Sequence, residues 1–236
     1  EIVMPAAGAA AVIITAADRV ADAAQQPAWL LGAGESVTHS SVAQAPDLGE
    51  TGIGIAARAA FSSAGVDPSN VGLASLYDCY TIMVLLTLEE AGFCKAGEAG
   101  AFVESHDLTF SGDFPLNTHG GQLSFGQAGI AGGMSHVTEA IRQIQGRGGD
   151  RQVADLDLAY AHANGGIIAA QVALVLGTAR CGARTDQPPP GPAHPPPHPA
   201  RLARPSARPA RPPSPPPTPS SSLSPPLSLP PLPPLS

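Results

Sequence analysis

NTHGGQLSFGQAGIAGGMSHVTEAIRQI, residues Asn117 to Ile144, is a glycine-dense loop that runs directly into a long amphipathic helix. Gly120, Gly121, Gly126, Gly129, Gly132 and Gly133 allow the loop conformations that a Cβ resists, and they let a ligand or another backbone come close. From Ile130 the apolar residues recur at Met134, Val137, Ile141 and Ile144, one face of a 3.6-residue helix. That face is expected to be the buried one. A loop of this kind presents free N–H groups and the positive end of the helix dipole, a suitable place for a carbonyl oxygen or a thioester.

Three blocks carry a resemblance. NTHGGQLSFGQAGIAGG resembles the N-x-x-GG-x-x-x-GHP-x-G-x-x-G loop of thiolases, enzymes that make or cleave 3-ketoacyl-CoA thioesters. YDCYT at Tyr77–Thr81, followed by LLTLEEAGFC, is similar to the HDCF…E-x-LG-x-C block of sterol-carrier-protein type thiolases. HANGG at His162–Gly166 resembles the HGNGG of that branch. The resemblance implies an α/β fold: a thiolase-like layered αβα C-terminal domain, incomplete at its N-terminus and followed by a disordered Pro-rich tail. Residues 1–26 would end the N-terminal half, 27–180 would form the C-terminal domain, and 181–236 the tail.

Composition supports a sizeable core before that tail. Hydrophobic residues make up 43% of the 236 and charged ones 13%. Of 27 prolines, 22 follow Asp186, a segment that cannot bury a core and should sample extended polyproline conformations. Its Arg-x-x-Pro and Pro-x-x-Pro patterns are also the kind that aromatic grooves bind. The body up to Asp186 holds eight basic and nineteen acidic residues, a balance of −11, against +4 for the tail. Such a body is a poor partner for nucleic acid, because phosphate contacts need clustered Lys and Arg. Cys79, Cys94 and Cys181 show no paired or metal-like spacing, which points to a reduced, cytoplasmic protein. The run Ala6–Ala17 has no basic flank and does not read as a signal peptide; Ile167–Leu176 is far short of a membrane span.

In chain order, Ala10–Thr15 reads as a buried strand and Ala17–Ala24 as a short helix. Ala28–Gly32 reads as a strand, 37–49 as a polar loop and Thr51–Ala64 as an Ala-rich helix. GAGES at Gly32–Ser36 lacks the third glycine and the later acidic residue of a dinucleotide loop. Leu73–Tyr77 is a short strand delivering YDCYT. Thr81–Ala91 is a helix apolar on nearly every side, stopped by Gly92, with a shorter helix over Lys95–Glu104. Leu156–His162 and Ile167–Leu176 are adjacent strands whose connection, Ala163–Gly166, aims His162 and Asn164 at one rim.

Thiolase chemistry needs a Cys nucleophile, an oxyanion hole and an acid/base. The resemblance places the nucleophile in a preceding half, and none of the three cysteines stands in its motif; Cys79 matches a structural position. Where the family carries the His of GHP this chain has Gln127, which can donate a hydrogen bond but cannot titrate. The catalytic candidates are therefore His162, Gln127 and Tyr77, with Tyr80 as an alternative proton donor. Asn117, Gly126, Asn164 and Gly165 are the substrate-binding candidates. His119 and His136 lack partners at ligand spacing, and no metal site is expected. The implied function is acyl transfer on acyl-CoA thioesters, 3-ketoacyl-CoA formation or cleavage or a related C–C cleavage, with the thioester as substrate and no cofactor. The competing reading is a non-catalytic acyl-CoA or lipid-binding subunit. The family further implies a homodimer and, in some relatives, a small zinc-ribbon/OB-fold partner subunit.

Overall fold

The computed structural model describes residues 1–45 and 51–179, within one compact unit that extends from Glu1 to Asp186. The Pro-rich tail, Cys181 and part of the loop expected over 37–49 lie outside the described residues.

Four strands make one sheet. They are β1 (Trp29–Val37), β2 (Leu73–Ser75), β3 (Leu158–Gly165) and β4 (Ala170–Gly177), in the order β1-β4-β3-β2. β4 runs antiparallel to both β1 and β3, and β2 lies parallel to β3. Alternation along the strands divides two faces. Tyr160, Ala173 and Val175 point into a core with helix α1 (Ile53–Ala64) and helix α2 (Thr81–Glu90). Ala159, Ala161 and Leu176 point into a second core with Ala140 and Ile144 of helix α5 (Gly132–Ile144). Two shorter helices, α3 (Ala99–Ser105) and α4 (Gly121–Phe125), complete the set. The layers are thus helix, sheet, helix, as expected for this α/β class.

β1 is longer than its sequence suggests because GAGES belongs to it. Gly32 and Gly34 lie where a Cβ would run into the main-chain oxygens of Ala60 and Ala56. These glycines let the Ala-rich face of α1 press onto the sheet; they do not form a nucleotide loop. The N-terminus of α1 is capped from afar, with Glu90 accepting from the Thr51 hydroxyl at 2.7 Å and from the N–H groups of Thr51 and Gly54. A carboxylate there favours the positive end of the helix.

Four expectations are corrected. Ala10–Thr15 is not a buried strand: among the described residues it pairs with no strand, and Ile13 and Ile14 are 97% and 90% exposed. The helix after it is a 3-10 turn, Ala17–Asp22, with no buried residue. α2 buries only Met83, Thr87 and Leu88, so it lies half out of the core. The largest reversal is α5. Its buried residues include His136, Glu139 and Gln143, whereas Met134, Val137 and Ile141 are only partly covered and Ile130 is fully exposed. Its apolar row borders an open trough shared with Leu30, Val172 and Leu174. The period was right, but only Ile144 of that row is buried, because the polar row finds partners inside.

Candidate functional site

β2 leads straight into the YDCY loop, and the polar row of α5 faces it. Asp78 is buried and accepts the N–H of Gln122 at 2.8 Å and of Leu123 at 3.3 Å, which ties down the start of α4. Gly121 fits under that carboxylate only because it has no Cβ. His136 is fully buried. Its Nδ1 meets Ser75 Oγ at 3.1 Å, and its Nε2 lies 3.3 Å from Asp78 Oδ1 and 3.2 Å from Gln122 Nε2. A proton on Nε2 serves Asp78 if the Gln122 amide is turned so that its oxygen faces the imidazole. That turn also gives a partner to Gln122 Oε1, which is otherwise buried without one. Burial alone would raise the Asp78 carboxyl. The hydrogen bonds from His136 and from the Gln122 and Leu123 N–H groups outweigh it and hold the group below its ordinary range.

Beyond His136 the polar row continues. Glu139 accepts from Thr118 at 2.7 Å and from Gln143 at 3.0 Å, with Arg151 at 3.5 Å. His119 packs edge-on against His136 at 5.1 Å between ring centres, and neither of its ring nitrogens has a partner. Burial, reinforced by His136, pushes its pKa down to about 4, so the ring is neutral. With Ser135, Thr138 and Glu139 it lines a cavity of about 500 Å³. Reading His119 and His136 as isolated side chains missed this cluster, because its members are spread from Ser75 to Arg151. The one available signal was the unusual content of His, Glu and Gln at helical spacing on a helix that must pack.

At the mouth of the YDCY loop, Gln127 Nε2 donates to Tyr77 Oη at 3.0 Å. Burial raises the Tyr77 phenol above its ordinary value, and the nearby Cys79 and Asp78 add to this against the Gln122 and Gln127 amides. The phenol is therefore protonated at neutral pH, and with Gln127 donating into its oxygen its own proton is directed elsewhere. Burial, first, also raises the Cys79 thiol, so it is not an activated nucleophile. Its sulfur lies within reach of the Asn164 side chain, whose Nδ2 is buried without a partner. Asn164 and Ala163 border the open trough on β3. Among the described residues, no group of three or more His, Cys, Asp and Glu is arranged to hold a metal ion.

Two sequence candidates fall elsewhere. His162 is not at a rim: it lies inside β3, 1% exposed. Gln171 Nε2 donates to the Ile168 carbonyl at 2.7 Å, which leaves Gln171 Oε1 to accept from His162 Nε2 at 2.9 Å. Thr87 Oγ1 stands 3.5 Å from Nδ1 but gives its proton to the Met83 carbonyl. Burial drives the pKa of His162 down to about 4, so the ring is neutral at physiological pH. Asn117 likewise spends its side-chain amide on the main chain, accepting from Leu76 N–H at 2.7 Å and donating to Leu76 C=O at 2.9 Å. It pins the glycine loop to the YDCY loop. Gly126 lies beside Gln127, and Gly165 is exposed at the end of β3. His162→Ala should cost about 2–4 kcal/mol of stability, from the cavity and the orphaned Gln171 oxygen, measured as a lowered denaturant midpoint. An unchanged midpoint with a lost rate would support a catalytic role.

Residues 34–178, more than half the chain, match the family described as Thiolase C-terminal domain-like. This chain belongs to the thiolase superfamily. Among thiolase-like proteins it is similar to the steroid side-chain-cleaving aldolase of Thermomonospora curvata, 36% identical over 149 residues that span 59% of this chain and 36% of that protein. It is 36% identical over 144 residues to the 17-hydroxy-3-oxo-4-pregnene-20-carboxyl-CoA lyase of Mycobacterium tuberculosis, with the same two coverages. Acetyl-CoA acetyltransferase of Methanothermobacter thermautotrophicus is 30% identical over 160 residues, 67% of this chain and 42% of that one. The solved Ltp2-ChsH2(DUF35) aldolase superposes with a TM-score of 0.60 at 32% identity, covering 68% of this chain and 42% of the other. The chain thus spans roughly two fifths of these thiolase-like relatives. Among the described residues no helix is long and apolar enough to cross a membrane.

Proposed function

We propose that this chain forms the C-terminal part of a thiolase-like enzyme that cleaves a carbon–carbon bond in an acyl-CoA thioester by retro-aldol chemistry. The observation that carries the reading is the Gln127–Tyr77 pair, a non-titrating amide donating to a protonated phenol at 3.0 Å. In a 3-hydroxyacyl-CoA the bond between Cα and Cβ breaks, the β-hydroxyl passes its proton to water and becomes a carbonyl, and the electron pair moves to Cα as the thioester enolate; water later returns a proton to Tyr77. The enolate then needs a proton, and Tyr77 is the acid placed to supply it. The second N–H of Gln127 and the unpartnered amide of Asn164 are the donors for the enolate oxygen. The activities for which two relatives are named, an aldolase and a CoA lyase, support this chemistry.

The acyl-transfer alternative needs a Cys nucleophile from the rest of a longer polypeptide, since burial raises both Cys79 and Cys94. The exposed Ile130, the partly covered Met134, Val137 and Ile141, and the exposed Ile13 and Ile14 are the surfaces such a preceding half would cover. A homodimer and a small partner subunit of the kind named in the solved aldolase are parts of the same proposal. The test uses the full-length protein, with its partner subunit, and two substrates. Release of a ketone or aldehyde plus a shortened acyl-CoA from a 3-hydroxyacyl-CoA is the expected result. Thiolysis of a 3-ketoacyl-CoA by CoA without any cleavage of the hydroxy substrate would overturn it. Binding of both thioesters with no turnover would favour a non-catalytic subunit.

A further inference from the structure

We infer that the extended segment Ile2–Ala6 is a positioning element for the Tyr77–Gln127 pair, holding the two site loops in register through its main chain. The inference rests on the catalytic reading of that pair given above. Gln127 N–H donates to the Met4 carbonyl at 2.9 Å, and Ala6 N–H donates to the Gln127 carbonyl at 2.9 Å. At its other end Val3 N–H donates to the Cys79 carbonyl at 3.1 Å. Bridges form between Pro5 and Gln127, parallel, and between Ile2 and Tyr80, antiparallel. One strand-like segment therefore bonds to the Gln127 loop and to the YDCY loop at once.

Side-chain packing does not explain its position. Ile2 and Met4 are 71% and 72% exposed, so the segment contributes little to the core. Gln127 itself stands between α4 and a 3-10 turn at Gly129–Ala131, outside every ladder of the four-stranded sheet. Its N–H and C=O are both taken by Met4 and Ala6, so the residue shifts only if both bonds break. The approach is close: a Cβ on Gly126 would come within 2.6 Å of the Ala6 methyl. The 3.0 Å contact of Gln127 with Tyr77 is thus fixed from behind by main-chain bonds whose side chains do no chemistry. A displacement of about 1 Å at such a site is enough to cost up to 10²-fold in rate.

The test compares three variants of the full-length protein. Ala6→Pro removes the N–H that Gln127 accepts; Ala6→Ser keeps it; Gln127→Ala removes the catalytic amide itself. Expected are a fall in kcat of about tenfold or more for Ala6→Pro with KM within about twofold, and recovery of turnover in Ala6→Ser relative to the proline variant. If Gln127→Ala lowers kcat while a folded Ala6→Pro does not, the positioning inference is overturned and the catalytic reading stands. If Gln127→Ala leaves kcat intact, the catalytic reading fails instead. In that case, or if Ala6→Pro does not fold, amide exchange in the parent decides. Protection at both Ala6 and Gln127 N–H supports the segment's role, and exchange at unfolded rates overturns it.

Discussion

Tyr77→Phe should lower kcat for C–C cleavage by roughly 10²- to 10⁴-fold while leaving KM near the parent value. The phenol is the acid of the proposed pair, and the change removes its oxygen and almost nothing else. The ring is buried and lies 5.9 Å from the His136 ring, a contact that phenylalanine keeps. The structural cost is one unpaired Gln127 N–H, about 1 kcal/mol, so the variant should fold. Because burial raises the phenol above its ordinary 10.0, the parent should keep its rate through neutral pH, with no alkaline loss from this group below that value. Tyr80→Phe is the matched control, since Tyr80 is half-exposed. A large loss in Tyr80→Phe with full activity in Tyr77→Phe would move the acid to Tyr80.

The fold was legible in sequence where a residue pattern has one physical solution. Alternating strands at β3 and β4, alanines on α1 and a glycine stop after α2 each admit little else. The antiparallel pairing of β3 with β4 is as expected, although the turn lies at 166–169 rather than before Gly166. Periodicity failed where a helix has two usable faces. α5 shows an apolar row and a polar row, and only the partners at Ser75, Asp78, Thr118 and Val153 decide which is covered. Ser75, Asp78 and Thr118 are 21 to 61 residues away from the α5 side chains they meet, and Val153, 10 residues from Gln143, is the near exception. No local window contains them. The rim position expected for His162 failed for a related reason: its motif marks a position, while burial and Gln171 set its surroundings. Ala10–Thr15 has the composition of a strand but no neighbouring strand among the described residues, so its propensity finds no ladder.

Asp78→Ala should destabilise the protein by about 3–5 kcal/mol, the usual result of removing one partner of a buried ionic group. The carboxylate is the acceptor for two main-chain N–H groups at the start of α4 and the neighbour of His136 Nε2. Alanine leaves all three in a site with no water-exposed alternative, since His136 and Gln122 are both fully buried. Asp78→Asn keeps one acceptor oxygen and should lose less than alanine, although its amide nitrogen cannot accept from Leu123. The pH dependence follows from the sign of the shift. The folded carboxyl titrates below its ordinary 3.8, so its contribution is fully present above that value and is lost as pH falls through the lower folded pKa. Denaturant midpoints of parent and Asp78→Ala should therefore differ most at neutral pH and converge below pH 3.8. A difference that persists undiminished in acid would show that Asp78 acts through packing and not through its charge. A neutral-pH midpoint equal to the parent's would mean that the start of α4 and His136 are held without it.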